Sequence, residues 1–251
     1  MLTQQRKQHI LETLRRDGQI VAKSLSRELG LSEDTIRRDL RELAAKGLLQ
    51  RVHGGALPAS PAMVDFAGRQ RLAPEAKTAI GKAAAKLVQK GQVVIVDGGM
   101  TSVQLVRHLP HDLQATIVTH SPTIAVELVE HPAVEVVLIG GKLFKHSVVS
   151  VGAMAMEAIG RIRADLYFMG VTGVHPEMGL TTGDLEEAYV KRALSERAAE
   201  TVVLASADKL GAASPYVIAP ISEVSTLVTE RGVPKSVTQG YSRLGITVVR
   251  A

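Results

Sequence analysis

Up to residue 47 the apolar positions recur at helical spacing and are interrupted three times by glycine. The pattern predicts helices over Thr3 to Asp17, Val21 to Leu29 and Glu33 to Lys46, closed by Gly18, Gly30 and Gly47, because glycine accepts the left-handed backbone that ends a helix. Ser32 is placed to N-cap the third helix, and Glu33 and Asp34 suit its positive end. After Gly47 the run Leu48 to Val52 reads as a strand, and His53-Gly54-Gly55 permits a tight reversal into a hairpin.

From Pro58 to Pro74 there are three prolines, small residues and no clear period, the composition of a linker, with one docked piece expected around Phe66. Beyond Glu75 helical stretches alternate with short β-branched runs at Val93–Val96, Thr116–Thr119, Val134–Ile139, Asp165–Met169, Thr201–Ala205, Thr226–Thr229 and Ile246–Val249. Such alternation argues for an α/β domain with a mostly parallel sheet and helices on both faces. The expected organisation is a small helical module over 1–57, a linker over 58–74 and a larger α/β domain over 75–251.

Composition narrows the class. With 251 residues, 45% of them apolar, the chain is long enough for two buried cores, and no apolar run approaches the ~18–20 residues of a membrane-spanning helix. The absence of cysteine excludes disulfides, thiolate zinc sites, iron–sulfur clusters and a catalytic thiol. His108 and His111 flank Pro110 at an expected helix end and read as cap and loop, so no metal site and no cofactor are assigned. The first residues follow a charged helical pattern rather than an apolar signal region, which gives a cytoplasmic expectation.

The net charge of +5 is unevenly spread: residues 1–56 hold 11 Lys and Arg against 7 Asp and Glu, while the remaining residues hold 19 against 18. The basicity belongs to the N-terminal module, which suits a polyanionic partner. In the third helix Ile36, Leu40 and Leu43 form one apolar stripe, and Arg37, Arg38 and Arg41 fan over roughly 100° of the opposite face. An exposed arginine pair is often mere solvation. Here the glycine turn, the capping Ser32, the hairpin with Arg51 and His53 and the charge asymmetry all favour double-stranded DNA, since arginine forks match guanine edges and phosphates.

The run Leu31-Ser32-Glu33-Asp34-Thr35-Ile36-Arg37-Arg38-Asp39-Leu40, followed by Gly47 and by Arg51-Val52-His53-Gly54-Gly55-Ala56, closely resembles the DeoR family of bacterial transcription regulators. The resemblance implies a winged helix-turn-helix whose recognition helix carries Thr35, Arg37, Arg38 and Arg41 and whose wing spans Arg51 to Gly54 and Gly55. By its own geometry Asp39 lies off the arginine face and reads as structural. The resemblance continues, more weakly, through Lys77-x-x-Ile80, Asp97-Gly98-Gly99-Met100-Thr101-Ser102, Val118-Thr119-His120-Ser121, Ile139-Gly140-Gly141, Asp165-x-x-Phe168-x-Gly170, Glu186-Glu187-Ala188-x-Val190-Lys191 and Asp208-Lys209. It implies a sensor domain related to sugar-phosphate isomerases, with phosphorylated sugars or sugar-derived metabolites as effectors.

Physical chemistry supports a pocket in that domain independently. Ligands of open parallel sheets bind beyond the C-terminal strand ends, where Asp97, Gly98, Gly99, Thr101 and Ser102 join a strand to a helix. Glycines admit backbone N–H groups to an anion, hydroxyls add donors, and the helix N-terminus adds partial positive charge. The loops carrying His120 and Ser121, and Gly140, Gly141 and Lys142, end neighbouring strands and are expected to join the site. Lys142, Lys191 and Lys209 are the available cations, Lys209 being favoured because the family also places a lysine there. Met100, His120 and Ser206 stand where relatives commonly carry other polar residues, which alters the groups offered to a ligand.

The leading expectation is a sequence-specific repressor of carbohydrate genes, acting on operator DNA as a homo-oligomer, dimer or tetramer, and released by a phosphorylated metabolite. An alternative is an isomerase-like enzyme with a fused DNA-binding domain, using Asp97, Glu186 or Glu187 as general base. An architectural DNA binder without effector is a third reading, which leaves the α/β domain without a task.

Overall fold

In the computed structural model residues 2–60, 68 and 71–251 are described. The N-terminal module consists of α1 (Thr3–Asp17), β1 (Ile20–Val21), α2 (Ala22–Leu29), α3 (Glu33–Ala45), β2 (Leu49–Val52) and β3 (Gly55–Pro58). All three glycine stops have positive φ, at 73°, 64° and 69°. The Ser32 hydroxyl accepts from the Thr35 N–H at 3.2 Å and so caps α3. Ile36, Leu40 and Leu43 pack with Ile10, Leu14, Leu25 and Leu49 into one core.

Val21, expected in a helix, instead belongs to the two-residue strand β1, which pairs with β3 to give the antiparallel order β1-β3-β2. The pairing is close: a Cβ on Gly55 would lie 1.7 Å from the Ile20 carbonyl oxygen. Only glycine lets these two backbones approach so far.

In the expected linker, β3 ends at Pro58 and Ala59 makes an isolated parallel bridge to Ala213. The piece expected around Phe66 lies outside the described residues. The chain then continues through α4 (Pro74–Ala85), β4 (Val93–Val96), α5 (Met100–Arg107), β5 (Ala115–Thr119), α6 (Pro122–Glu127) and β6 (Val134–Leu138). A hairpin of β7 (Lys142–Phe144) and β8 (Val149–Val151) leads to α7 (Ala153–Ile159) and β9 (Ala164–Gly170). After β10 (Gly173–His175) and β11 (Gly179–Thr182) come α8 (Leu185–Ser195), β12 (Ala198–Leu204), β13 (Tyr216–Ala219), β14 (Thr226–Thr229), α9 (Lys235–Ser242) and β15 (Thr247–Arg250).

Each of the seven β-branched runs becomes a strand of one parallel sheet, in the order β15-β14-β12-β9-β4-β5-β6. Because successive side chains on a strand face opposite ways, Leu166 and Phe168 of β9 enter one core, with Ile80 of α4, Leu105 of α5 and Ile124 of α6. Tyr167 and Met169 enter the other, with Ile159 of α7, Leu194 of α8 and Tyr241 of α9. The β7–β8 hairpin and a small antiparallel sheet, β10-β11-β13, are additions that the sequence pattern does not announce.

The sheet order fixes where a ligand site can lie. From β4 the chain winds outward to β6, then crosses back to β9 and winds the other way to β15. The switch falls between β4 and β9, the point at which loops leave in opposite directions and open a crevice.

Candidate functional site

In the N-terminal module, Arg37, Arg38 and Arg41 are exposed on α3, and Arg51, His53 and Gly54 are exposed at the wing. Arg37 Nη2 donates to Glu33 Oε1 at 2.7 Å, and Arg41 Nε to the Arg37 carbonyl at 3.4 Å. Ser32 and Thr35 share a hydroxyl contact of 2.9 Å at the start of the helix. The rear of α3 is anchored by Asp39, only 2% exposed, which receives both Nε and Nη2 of Arg6 from α1. A buried fork therefore fixes the helix while its arginine face is left to solvent.

At the switch point a cavity opens between the loops after β4 and β9. Gly98, Gly99, Thr101 and Ser102 line it from β4 and α5; Gly170, Val171 and Thr172 line it from β9. Lys77 from the first turns of α4, Lys191 from α8 and Lys209 from a short 3-10 turn converge on the same space, with exposures of 7%, 4% and 9%. Thr182, Glu187 and Asp208 complete the polar wall. Lysines are seldom so buried, and here three share one cavity with the carboxylates Glu187 and Asp208. Ser102 Oγ, in the first turn of α5, is buried and has no hydrogen-bond partner.

Beneath the cavity sits Asp97, fully buried at the end of β4. Its Oδ1 accepts from Gly98 N at 2.8 Å and from His120 Nε2 at 2.8 Å. Its Oδ2 accepts from Gly170 N at 2.9 Å and from Lys191 Nζ. Burial opposes ionisation of this carboxyl, but the Lys191 charge and the His120 hydrogen bond outweigh it and hold it well below the usual carboxylate range. Lys191 also donates to the Gly170 carbonyl at 3.1 Å, which ties β4, β9 and α8 together.

Of the expected effector residues, Gly98, Gly99, Thr101, Ser102 and Lys209 line the cavity. Asp97 and His120 lie behind the lining. His120 is fully buried, with Nδ1 3.0 Å from the Ser150 carbonyl and Nε2 on Asp97, so both ring nitrogens are already committed. Ser121 is buried and donates to the Val148 carbonyl at 3.0 Å. Gly140, Gly141 and Lys142 are exposed on the turn into β7 and do not line the cavity. The reason is strand order: β6 is the edge strand, two places from β4, and each step displaces its loop by about 4.8 Å.

Lys77, Thr172, Thr182 and Ser147 were not among the expected site residues, and Lys191 and Glu187 only as an available cation and a candidate base. A signal for the charged ones exists. Lys77 shares a stripe with Ile80 and Ala84, and Lys191 with Ala188 and Leu194. A charged residue on the apolar face of an amphipathic helix must meet a partner inside. His108 is the C-cap of α5. Among the described residues, no cluster of ligand-type side chains fits a metal ion, and no helix is long and apolar enough to cross a membrane.

Comparison with known proteins bears on both sites. Residues 6–61 match the family model of the DeoR-like helix-turn-helix domain, and residues 72–231 match that of the DeoR C terminal sensor domain. The chain is 37% identical over 252 residues to the HTH-type transcriptional regulator GlpR of Haloferax volcanii, covering 99% of this chain and 98% of that one. It is 32% identical over 246 residues to the HTH-type transcriptional regulator GolR of Listeria innocua, covering 97% of each. Ribose 5-phosphate isomerase A of Methanocaldococcus jannaschii shares 19% identity over 54% of each chain, with a TM-score of 0.41. With an arginine-faced winged helix matched by one model and the lysine-lined α/β domain by the other, the chain belongs to the DeoR family of DNA-binding transcriptional regulators.

Proposed function

We propose that this regulator is a repressor of carbohydrate genes whose operator affinity is set by a phosphorylated sugar or sugar-derived metabolite held in the cavity between β4 and β9. The observation that carries this reading is the convergence of Lys77, Lys191 and Lys209 on the N-terminal turn of α5, where Ser102 keeps an unused buried hydroxyl. A phosphate fits those groups: backbone N–H and hydroxyl donors with the helix dipole on one side, ammonium charges on the others.

The DNA side rests on α3 and the wing, with Ser32, Thr35, Arg37, Arg38, Arg41, Arg51, His53 and Gly54 as its contacts. One winged helix reads too few base pairs for genomic specificity, so the protein acts as a homo-oligomer on paired half-sites. The ligand changes DNA affinity through a difference in its affinity for the two states of the chain.

The isomerase-like alternative needs an available carboxylate at the substrate. Asp97 is engaged by four donors and Glu186 is exposed, away from the cavity, so Glu187, which lines it, is the one candidate base of the three that a substrate there would meet. Turnover assays with aldose phosphates are expected to show none.

The test is recovery of fragmented genomic DNA by the purified protein at near-physiological salt, followed by anisotropy titration of the recovered sites with phosphorylated intermediates of the neighbouring genes' pathway. Retention of a few repeated sites is expected, with affinity lowered by one such compound and the response lost in Lys209→Ala. Uniform retention across the genome, or indifference to every phosphorylated compound, overturns the reading.

A further inference from the structure

Two carboxylates flank Lys191, and they are used very differently. Asp97 spends both oxygens on four donors within the protein. Glu187, 6% exposed and part of the cavity wall, has Oε2 at 3.4 Å from the Thr182 hydroxyl and Oε1 at 4.0 Å from Lys191 Nζ. Both contacts lie at the outer limit for their kind. A buried carboxylate accepts about four hydrogen bonds, and leaving acceptor capacity unused away from water is costly. The unused capacity of Glu187 lies on the wall of the cavity, and donors placed there would complete it.

The chemistry of those donors follows from charge. A phosphate is repelled by a carboxylate, so Glu187, which lies beside the Asp97-paired Lys191, does not hold the end of the ligand that Lys77, Lys209 and α5 attract. Hydroxyl groups fit: each donates one hydrogen bond, and vicinal hydroxyls span the two oxygens of one carboxylate. Thr182, whose hydroxyl points at Glu187, keeps lone pairs to accept from the same group, whereas the Thr172 hydroxyl on the wall is already bonded to the Thr181 carbonyl and Ser214.

We propose that Glu187, supported by Thr182, is the specificity-determining residue of the cavity: it reads the hydroxyl-bearing, uncharged end of a phosphate ester and rejects the corresponding carboxylic acid. This rests on the phosphate reading of the same cavity and adds to it the chemistry of the other end. A site that hydrogen-bonds a substrate hydroxyl discriminates strongly against analogues lacking it, and a like charge in its place is repelled outright.

The test uses the full-length protein and calorimetric titration with pairs whose end remote from phosphate is an alcohol or aldose in one member and a carboxylate in the other: glycerol 3-phosphate against 3-phosphoglycerate, and glucose 6-phosphate against 6-phosphogluconate. Inorganic phosphate is titrated in parallel. The wild type is expected to favour the alcohol or aldose member of at least one pair by tenfold or more. In Glu187→Gln that ratio shrinks to threefold or less, and Glu187→Asp, which keeps the charge, retains most of it. The ratio is read within each variant, so a general loss of affinity does not mimic the effect. A wild type that binds the acids equally well, one that binds inorganic phosphate but no ester more tightly, or an unchanged ratio in Glu187→Gln overturns the proposal. Failure to bind any phosphate compound overturns the phosphate reading itself.

Discussion

Lys191 of α8 donates to Asp97 at the end of β4 across 94 positions of sequence, with side-chain exposures of 5% and 0%. This ion pair, with His120 on the opposite oxygen, forms the floor of the cavity and locks together the two parallel strands between which the winding order switches. Its burial makes it sensitive to the loss of either partner.

Replacement Asp97→Asn takes away the nearer of the two carboxylates of the buried Lys191 ammonium and leaves only Glu187, 4.0 Å away. Breaking a buried pair from one side costs about 3–5 kcal/mol, so the urea midpoint of the variant is expected to fall by that equivalent at pH 7. Because the folded-state value of Asp97 is depressed, its contribution is complete above the ordinary carboxylate value of about 3.9 and is lost as pH falls through the lower folded value. The gap between wild type and variant is therefore expected to stay constant from pH 7 to about 4 and to narrow below. A gap that widens in acid contradicts this assignment.

Gly55 is predicted to tolerate no side chain. An added methyl collides with the Ile20 carbonyl, and separating β1 from β3 loosens the wing. Gly55→Ala is expected to destabilise the N-terminal module by about 1–3 kcal/mol or more and to abolish operator binding, as read by thermal unfolding and anisotropy. Normal stability in this variant would show that the strands can part without consequence.

On α3, Arg37→Ala and Arg38→Ala are each expected to weaken operator binding about 10- to 100-fold, equivalent to about 1–3 kcal/mol per base-reading arginine. Both side chains are exposed, so the unfolding midpoint should change by no more than about 0.5 kcal/mol equivalent. Where an arginine contacts phosphate instead, the loss is uniform over sequences and the salt slope falls by about one. Unchanged operator affinity in both variants removes α3 from the interface.

Ser32→Ala removes the side-chain acceptor for the Thr35 N–H, leaving it only the Ser32 carbonyl at 3.1 Å, and removes the hydroxyl contact with Thr35. A loss of about 1 kcal/mol is expected, visible as faster amide exchange at Thr35 and as weaker operator binding through fraying of the arginine-bearing turns. Protection at Thr35 equal to the wild type would assign the capping elsewhere.

Much of the architecture was legible because its determinants are local. The glycine stops after α1, α2 and α3 depend on backbone freedom at single residues, and the cap at Ser32 reaches only three positions. The seven strands of the parallel sheet announce themselves as β-branched runs, since buried strands need apolar side chains on both faces. Strand β1 escaped notice: two residues carry no period, and its pairing with Gly55 is made across the module.

Patterns along the chain thus specify a basic winged helix with an outward arginine face, an α/β domain, and a glycine turn after Val96 suited to an anion. Which loops share a cavity follows from the packing of the strands instead. Sheet order sets β9 beside β4 and leaves β6 at the edge, so Lys77, Lys191 and Lys209 meet at the Gly98 turn, while Gly140 to Lys142 stay outside. Likewise the burial of His120 against Asp97 turned an apparent ligand contact into part of the floor. Local propensity depends on neighbours along the chain, whereas a binding site is made of residues whose proximity comes from strand order and crossover connections.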